Sequence, residues 1–253
     1  MAAPDLGGIA ARATTPVIYL VLLAVWEGGA RLFKIPGWIL PTPSAIVLTA
    51  SEWAPDLVYN GYITLGETLL GFLLALVISL PLAVIVAFTV TLRRVVYPIL
   101  LGLQSVPKVA LAPLVILWLG IGSWPKIIIV VLVCFFPILV NVVAGFEAVP
   151  KAMLDLMHSL RASEPAIFRR LRIPIALPHL FTGCKIAITF AVIGAVISEF
   201  VAAQEGLGYL ILISTAQSRT PLAFAAIILL TFISIVLFYA VEFVEKRCVT
   251  WTP

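Results

Sequence analysis

Apolar residues run almost without a break through six stretches of the chain: Pro16 to Leu32, Tyr62 to Leu92, Val95 to Leu119, Pro125 to Phe146, Pro174 to Val201 and Leu222 to Val244. A helix rises about 1.5 Å per residue, so each can cross about 30 Å of hydrocarbon, the first only just. The pattern predicts an all-α membrane protein with six transmembrane helices. The second and third stretches are separated only by Arg93 and Arg94, which predicts a sharp turn with its cations at the membrane surface. Between the fourth and fifth lies a polar interruption, Lys151 to Pro174, "KAMLDLMHSLRASEPAIFRRLRIP".

Within that interruption Met153, Leu156, Met157, Leu160, Ile167, Phe168 and Leu171 recur at helical spacing, with Lys151, Asp155, Arg161, Arg169 and Arg170 mostly between them. Ser163, Glu164 and Pro165 supply an N-cap, an acidic first turn and a proline whose missing N–H does no harm there. Two short helices with a break near Arg161 to Ser163 are expected. An amphipathic basic segment can rest on an anionic leaflet or simply mark topology. A second cap in mid-segment favours a compact knob that a cytoplasmic partner can grip.

Composition narrows the class. The 253 residues are 62% hydrophobic and only 11% charged, too few charges to cover a soluble protein of this size. The chain is therefore expected to form a single transmembrane domain over 1–253, with the loop 150–173 on the cytoplasmic side. Its net charge of +4 reads as a topological signal, and no nucleic-acid partner is expected. With the N-terminus inside, the inner side collects Arg12, Arg93, Arg94, Lys151, Arg161, Arg169, Arg170, Arg172, Lys185, Lys246 and Arg247, against Arg31, Lys34, Lys126 and Arg219 outside. Both termini are thus expected in the cytoplasm, and the first span is expected to be uncleaved. Cys134, Cys184 and Cys248 form no paired pattern and read as small core residues.

Other features are local. "PTPSAI" followed by an amphipathic patch around Ile46 to Trp53 predicts a short helix on the outer surface, with Trp38 and Trp53 at the interface. Lys108 lies fourteen residues beyond Arg94, about 21 Å along a continuous helix, where an ionisable group is usually turned toward a cavity or a partner. The alternative is that Pro107 breaks the helix and Lys108 snorkels or neutralises a neighbour. Glu67 and Glu199 are candidates for that neighbour, for outer gate residues, or for the translocation path. Glu199 also continues a stripe of small residues, Gly183, Ala187, Ala191 and Ala195, whose spacing favours close helix packing. "QEGLGYL", Gln204 to Leu210, is expected to dip back as a loop near the outer mouth.

The string "LDLMHSLRASEPAIFRRLRIPIALP" resembles the EAA loop of binding-protein-dependent ABC importer permeases: Glu-Ala-Ala, three residues, Gly, nine residues, Ile-x-Leu-Pro. Asp155 falls on the Glu, Arg161 on the Gly, Leu171 on the Ile, Ile173 on the Leu and Pro174 on the Pro. Leu156 and Met157 replace the alanines. A side chain at position 161 counts against a left-handed backbone at that turn. "QSVPKVALAPLVILWLGIG", "FFPILVNVVAGFEAVP", "LPHLFTGCKIAITFAVIGAVISEFVAAQEGLGYLI" and "LAFAAIILL" extend the resemblance to the nitrate, sulfonate, taurine and related permeases, among which are carriers of pyrimidine precursors.

The resemblance implies a type I, MetI-like permease of the cytoplasmic (inner) membrane, surrounded by lipid and working as a homodimer. Two ATPase subunits would sit on its cytoplasmic side, holding the ATP and magnesium, and a solute-binding protein outside. It also implies an ATPase-gripping surface, here Asp155, Leu156, His158, Ser159, Arg161, Ala162 and Ser163. The chain has no GxxxxGK[ST] loop, so no cofactor is expected on it and ATP hydrolysis is expected on a separate chain. A secondary carrier would show internal repeats and paired broken helices, which are not found. For an intramembrane enzyme, Ser79, Ser198, His158 and His179 offer no nucleophile with a base at one depth. The solute class stays open among sulfonate, taurine and nitrate on one side and pyrimidine or vitamin precursors on the other.

Overall fold

A computed structural model describes residues 6–89, 92, 94, 95, 98, 99, 102, 103 and 105–251. Arg93 and the side chain of Arg12, both used above as inner cations, lie outside that set. The described residues are organised as helices α1 (Leu6–Leu32), α2 (Pro43–Glu52), α3 (Ala54–Phe88), α4 (Lys108–Leu119), α5 (Ser123–Glu147), α6 (Lys151–Ser159) and α7 (Glu164–Ile167). A π-helical turn, Phe168–Arg172, then leads into α8 (Ile173–Ala202), followed by α9 (Leu207–Ala216) and α10 (Thr220–Cys248).

Among the described residues four helical segments are long and apolar enough to cross a membrane: Ala54–Phe88, Ser123–Glu147, Glu164–Val201 and Thr220–Cys248. They coincide with four of the six stretches. The first stretch lies inside the 27-residue α1, on which Val17 to Leu23 are all exposed, a surface suited to lipid.

The third stretch departs from the expectation of one continuous helix. Ser105, Val106 and Pro107 leave helical geometry, and α4 begins afresh at Lys108. Proline offers no N–H to a preceding turn and pushes the residue before it out of the α region. The 12 residues of α4 span about 18 Å, short of the hydrocarbon layer. The estimate of 21 Å along an unbroken helix from Arg94 to Lys108 therefore does not hold.

At the centre α5 packs against α3 on one side and α8 on the other. Small residues set these distances. Ala187, Ala191 and Ala195 are fully buried, and a Cβ on Gly183 would come within 2.9 Å of Asn141 Cβ and 3.0 Å of the Pro137 carbonyl. The small-residue stripe is a packing face, as its spacing suggested. Cys134 and Cys184 are buried, whereas Cys248, expected in the core, is exposed at the end of α10.

α2 forms where the sequence placed it. Thr42 caps it, its hydroxyl accepting from the Ala45 N–H at 3.3 Å, and Pro43 takes the first helical position. Arg219 lies 5.3 Å from the Trp53 ring, and the Thr220 hydroxyl donates to the Trp38 carbonyl at 2.7 Å, so the α2 region is tied to the start of α10.

Candidate functional site

The polar interruption folds into the expected pair of short helices. α6 ends in a Schellman motif: the Ala162 N–H donates to the Met157 carbonyl at 3.0 Å and the Arg161 N–H to the His158 carbonyl at 2.9 Å. That geometry needs a left-handed residue, and Arg161 supplies it with φ 52°. A side chain at position 161 counts against that conformation, yet the turn adopts it: two hydrogen bonds to carbonyls at the helix end offset a penalty of about 1–2 kcal/mol. Ser163 takes the extended N-cap conformation (ψ 151°), but its hydroxyl makes no capping bond. Its carbonyl instead accepts from the Ala166 and Ile167 N–H groups. His158 Nε2 and Glu164 Oε1, 3.3 Å apart, bridge the two helices.

The knob keeps an apolar surface free. Leu154 and Met157 are half-buried against the rest of the chain, while Met153, Leu156 and Leu160 are 48%, 59% and 70% exposed. Asp155, His158, Ser159, Arg161 and Ser163 are exposed around them, and Ala162 is half-covered. Every residue of the expected gripping surface therefore lies on one small projection.

Lys108 sits at the first position of α4, half-buried, its ammonium 5.4 Å from the Phe136 ring centre. It lines an open cavity of about 500 Å³ with Ser105, Val109, Val133, Pro137, Phe190, Ile193 and Ile197. One cation and one hydroxyl set among apolar walls can hold an anionic group and shield the rest of a small solute.

Glu67 and Glu199 do not pair with Lys108. Glu67 forms an ion pair with Lys126 on α5, both side chains buried. Glu199 is 1% exposed and belongs to a cage around the start of α9. Its Oε2 accepts the Gly208 N–H at 2.6 Å and its Oε1 the Thr64 hydroxyl at 2.7 Å. Thr64 Oγ1 in turn accepts the Leu207 N–H at 2.9 Å, and Asn60 Oδ1 accepts the Gly206 N–H at 2.7 Å. Three successive N–H groups that no helical carbonyl could reach are satisfied by α3 and α8. The "QEGLGYL" stretch is thus a turn followed by a pinned helix rather than a loop throughout.

Asn60 and Thr64 were missed by sequence reasoning, and Gly206 and Gly208 were read only as part of a loop. Asn60, Thr64, Glu67 and Thr68 all fall on the buried side of α3 at spacings of four, three and one. That polar stripe in an apolar helix was the available signal.

Residues 75–249 match the family described as "binding-protein-dependent transport system inner membrane component". The formylaminopyrimidine transport permease protein ThiX of Halalkalibacterium halodurans is 34% identical over 93% of this chain and 94% of its own. The riboflavin transport system permease protein RibX of Chloroflexus aurantiacus is 35% identical over 93% and 89%. The putative aliphatic sulfonates transport permease protein SsuC of Bacillus subtilis is 28% identical over 91% and 84%. Among solved structures, a chain from inward-facing conformations of the MetNI methionine ABC transporter aligns with a TM-score of 0.65 at 22% identity, over 79% of this chain and 97% of that one. The helical arrangement is accordingly MetI-like.

Proposed function

The chain belongs to the inner-membrane components of binding-protein-dependent transport systems and is a multi-pass membrane protein, and on that basis we propose how it is assembled and driven. It forms a single transmembrane domain that crosses the membrane six times with both termini in the cytoplasm, and it pairs with a second copy. Two ATPase subunits grip the α6–α7 knobs, and an extracytoplasmic binding protein delivers the solute. ATP acts as a ligand with different affinity for inward- and outward-open states, and no ATP or magnesium is held by this chain.

The observation that carries this reading is the exposed apolar group Met153, Leu156 and Leu160, ringed by Asp155, His158, Ser159 and Arg161 on a knob with the loop spacing of importer permeases. Apolar side chains held out on a polar projection support a docking role.

The solute is a small polar molecule with an anionic group, of the sulfonate, taurine or nitrate class, which Lys108 attracts within the cavity beside α4. A pyrimidine or vitamin precursor is the second reading, supported by the relatives named for formylaminopyrimidine and riboflavin.

The deciding experiment is co-purification from detergent with the tagged ATPase. Wild-type protein retains it, whereas Leu156→Asp loses at least tenfold of it while eluting as an intact permease. An unchanged yield of ATPase on the Leu156→Asp protein would remove the knob from the interface.

A further inference from the structure

Three aromatic rings from three separate elements meet where the knob joins the spans. Phe88 is the last residue of α3, Phe146 lies one residue from the end of α5, and Phe168 opens the π-helical turn. Phe88 meets the other two edge-on, with centroids 5.7 Å from Phe146 and 5.5 Å from Phe168. Phe146 and Phe168 stack at 5.9 Å with 23° between planes. The Arg172 guanidinium, from the far end of the π turn, lies 4.6 Å from the Phe88 centroid. Edge-on and stacked rings with a cation over a face are preferred aromatic arrangements, so the cluster has a defined geometry rather than a generic apolar fill.

Its position in the chain gives the cluster a mechanical meaning. The knob is connected at one end to α5 and at the other, through the π turn, to α8. Those two helices interlock near that level: a Cβ on Gly145 would meet Ala176 Cα at 2.9 Å and His179 Cβ at 2.8 Å. The knob, α5 and α8 are therefore held to one another at that level. α3 packs along α5 as well, with Gly71 set against Val130, and Phe88 adds the contact that ties its knob-side end directly to the π turn. The π turn closes with the Ile173 N–H donating to the Phe168 carbonyl, five residues back. Such wide turns are local departures from the α ladder that are frequent at functional sites. An open cavity of about 470 Å³ beside Val84, Phe88, Pro165, Phe168 and Arg169 leaves the rings room to shift.

We propose that Phe88, Phe146 and Phe168, clamped by Arg172, form the joint through which displacement of the knob reaches α3, with Phe168 as the positioning residue. This rests on the knob being the ATPase dock. The joint explains how a push on an exposed projection is felt along a 35-residue helix whose outer half carries the Asn60, Thr64 and Glu67 network.

The test uses the full transporter with its ATPase subunits, in a Cys248→Ser background that removes the exposed thiol. Nitroxides are placed at Ala152 on the knob and Tyr62 in the outer half of α3, both exposed. Distances are read before and after trapping with ATP and vanadate, so no solute is needed. In the wild type the distance distribution shifts on trapping. In Phe168→Leu and Phe88→Leu the ATPase stays bound and hydrolyses ATP, but the shift falls at least fivefold; Phe168→Tyr, which keeps the ring, restores it. A wild-type shift in both leucine variants overturns the joint, as does loss of the assembled complex in both, which would make the cluster purely structural. Failure of the wild-type protein to retain an ATPase would instead defeat the docking reading.

Discussion

Glu199 Oε2 accepts the Gly208 backbone N–H at 2.6 Å, closing a buried cage in which α3 and α8 hold the first turn of α9. The same carboxylate leaves no room for a side chain on either glycine. A Cβ on Gly206 would collide with Glu199 Oε1, and one on Gly208 would come within 2.7 Å of Oε2.

Gly206→Ala is therefore expected to destabilise the protein on two counts. Its φ of 111° with ψ of 161° belongs to a region only glycine occupies readily, worth about 1–3 kcal/mol, and the added methyl displaces the carboxylate. Glu199→Ala should lower stability by about 1–3 kcal/mol by leaving the Gly208 N–H without its acceptor and the Thr64 hydroxyl with only the Asn60 carbonyl, at 3.1 Å. Thermal unfolding in detergent measures both. Melting temperatures equal to wild type would contradict the cage.

Arg161→Gly should act in the opposite direction. Glycine adopts φ 52° freely, so the turn between α6 and α7 is relieved of about 1 kcal/mol with both Schellman bonds intact. Arg161→Val, branched at Cβ, should open the turn and reduce ATPase retention. The comparison is made by thermal unfolding and by pull-down, and a valine variant that behaves like glycine would refute it.

The buried Glu67–Lys126 pair sets a third expectation. Removing one partner strands the other charge in an apolar interior, so Lys126→Met alone should destabilise by about 3–5 kcal/mol. Combining it with Glu67→Gln should recover most of the loss. A double-mutant cycle with no coupling would show that the pair is incidental.

For Lys108, replacement by alanine should weaken uptake of an anionic solute by about tenfold without impairing assembly, and Lys108→Arg should retain most of it. Equal impairment of a neutral solute would point to a packing role instead.

Much of the architecture was legible because apolar length and polar interruption are local properties. The segments around 62–92, 125–146, 174–201 and 222–244 were found by length alone, and the knob by its periodicity and mid-segment cap. At the third span the sequence left a continuous helix and a break at Pro107 both open, and the structure takes the break. At Arg161 the residue type argued against a conformation that the Schellman bonds nevertheless hold in place.

Glu67, Glu199 and Lys126 show where reading along the chain stops. For Glu67 and Glu199 the cost of a charge in an apolar setting marks a paired or cavity-facing group, which residue type alone conveys, whereas Lys126, counted among the outer cations, is buried against Glu67. Which partner each takes depends on helices that lie far apart in sequence: Glu199 meets Thr64 across 135 residues, and the Gly206 N–H meets Asn60 across 146. Likewise, Phe88, Phe146 and Phe168 are three unremarkable apolar positions until α3, α5 and the π turn bring their rings together. The sequence by itself determined the class, four of the long apolar spans and the two-helix knob, because burial in lipid and helical period act residue by residue. Only the tertiary structure decided which polar groups are paired and where the helices are joined, because pairing energy depends on distance in space and not on separation along the chain.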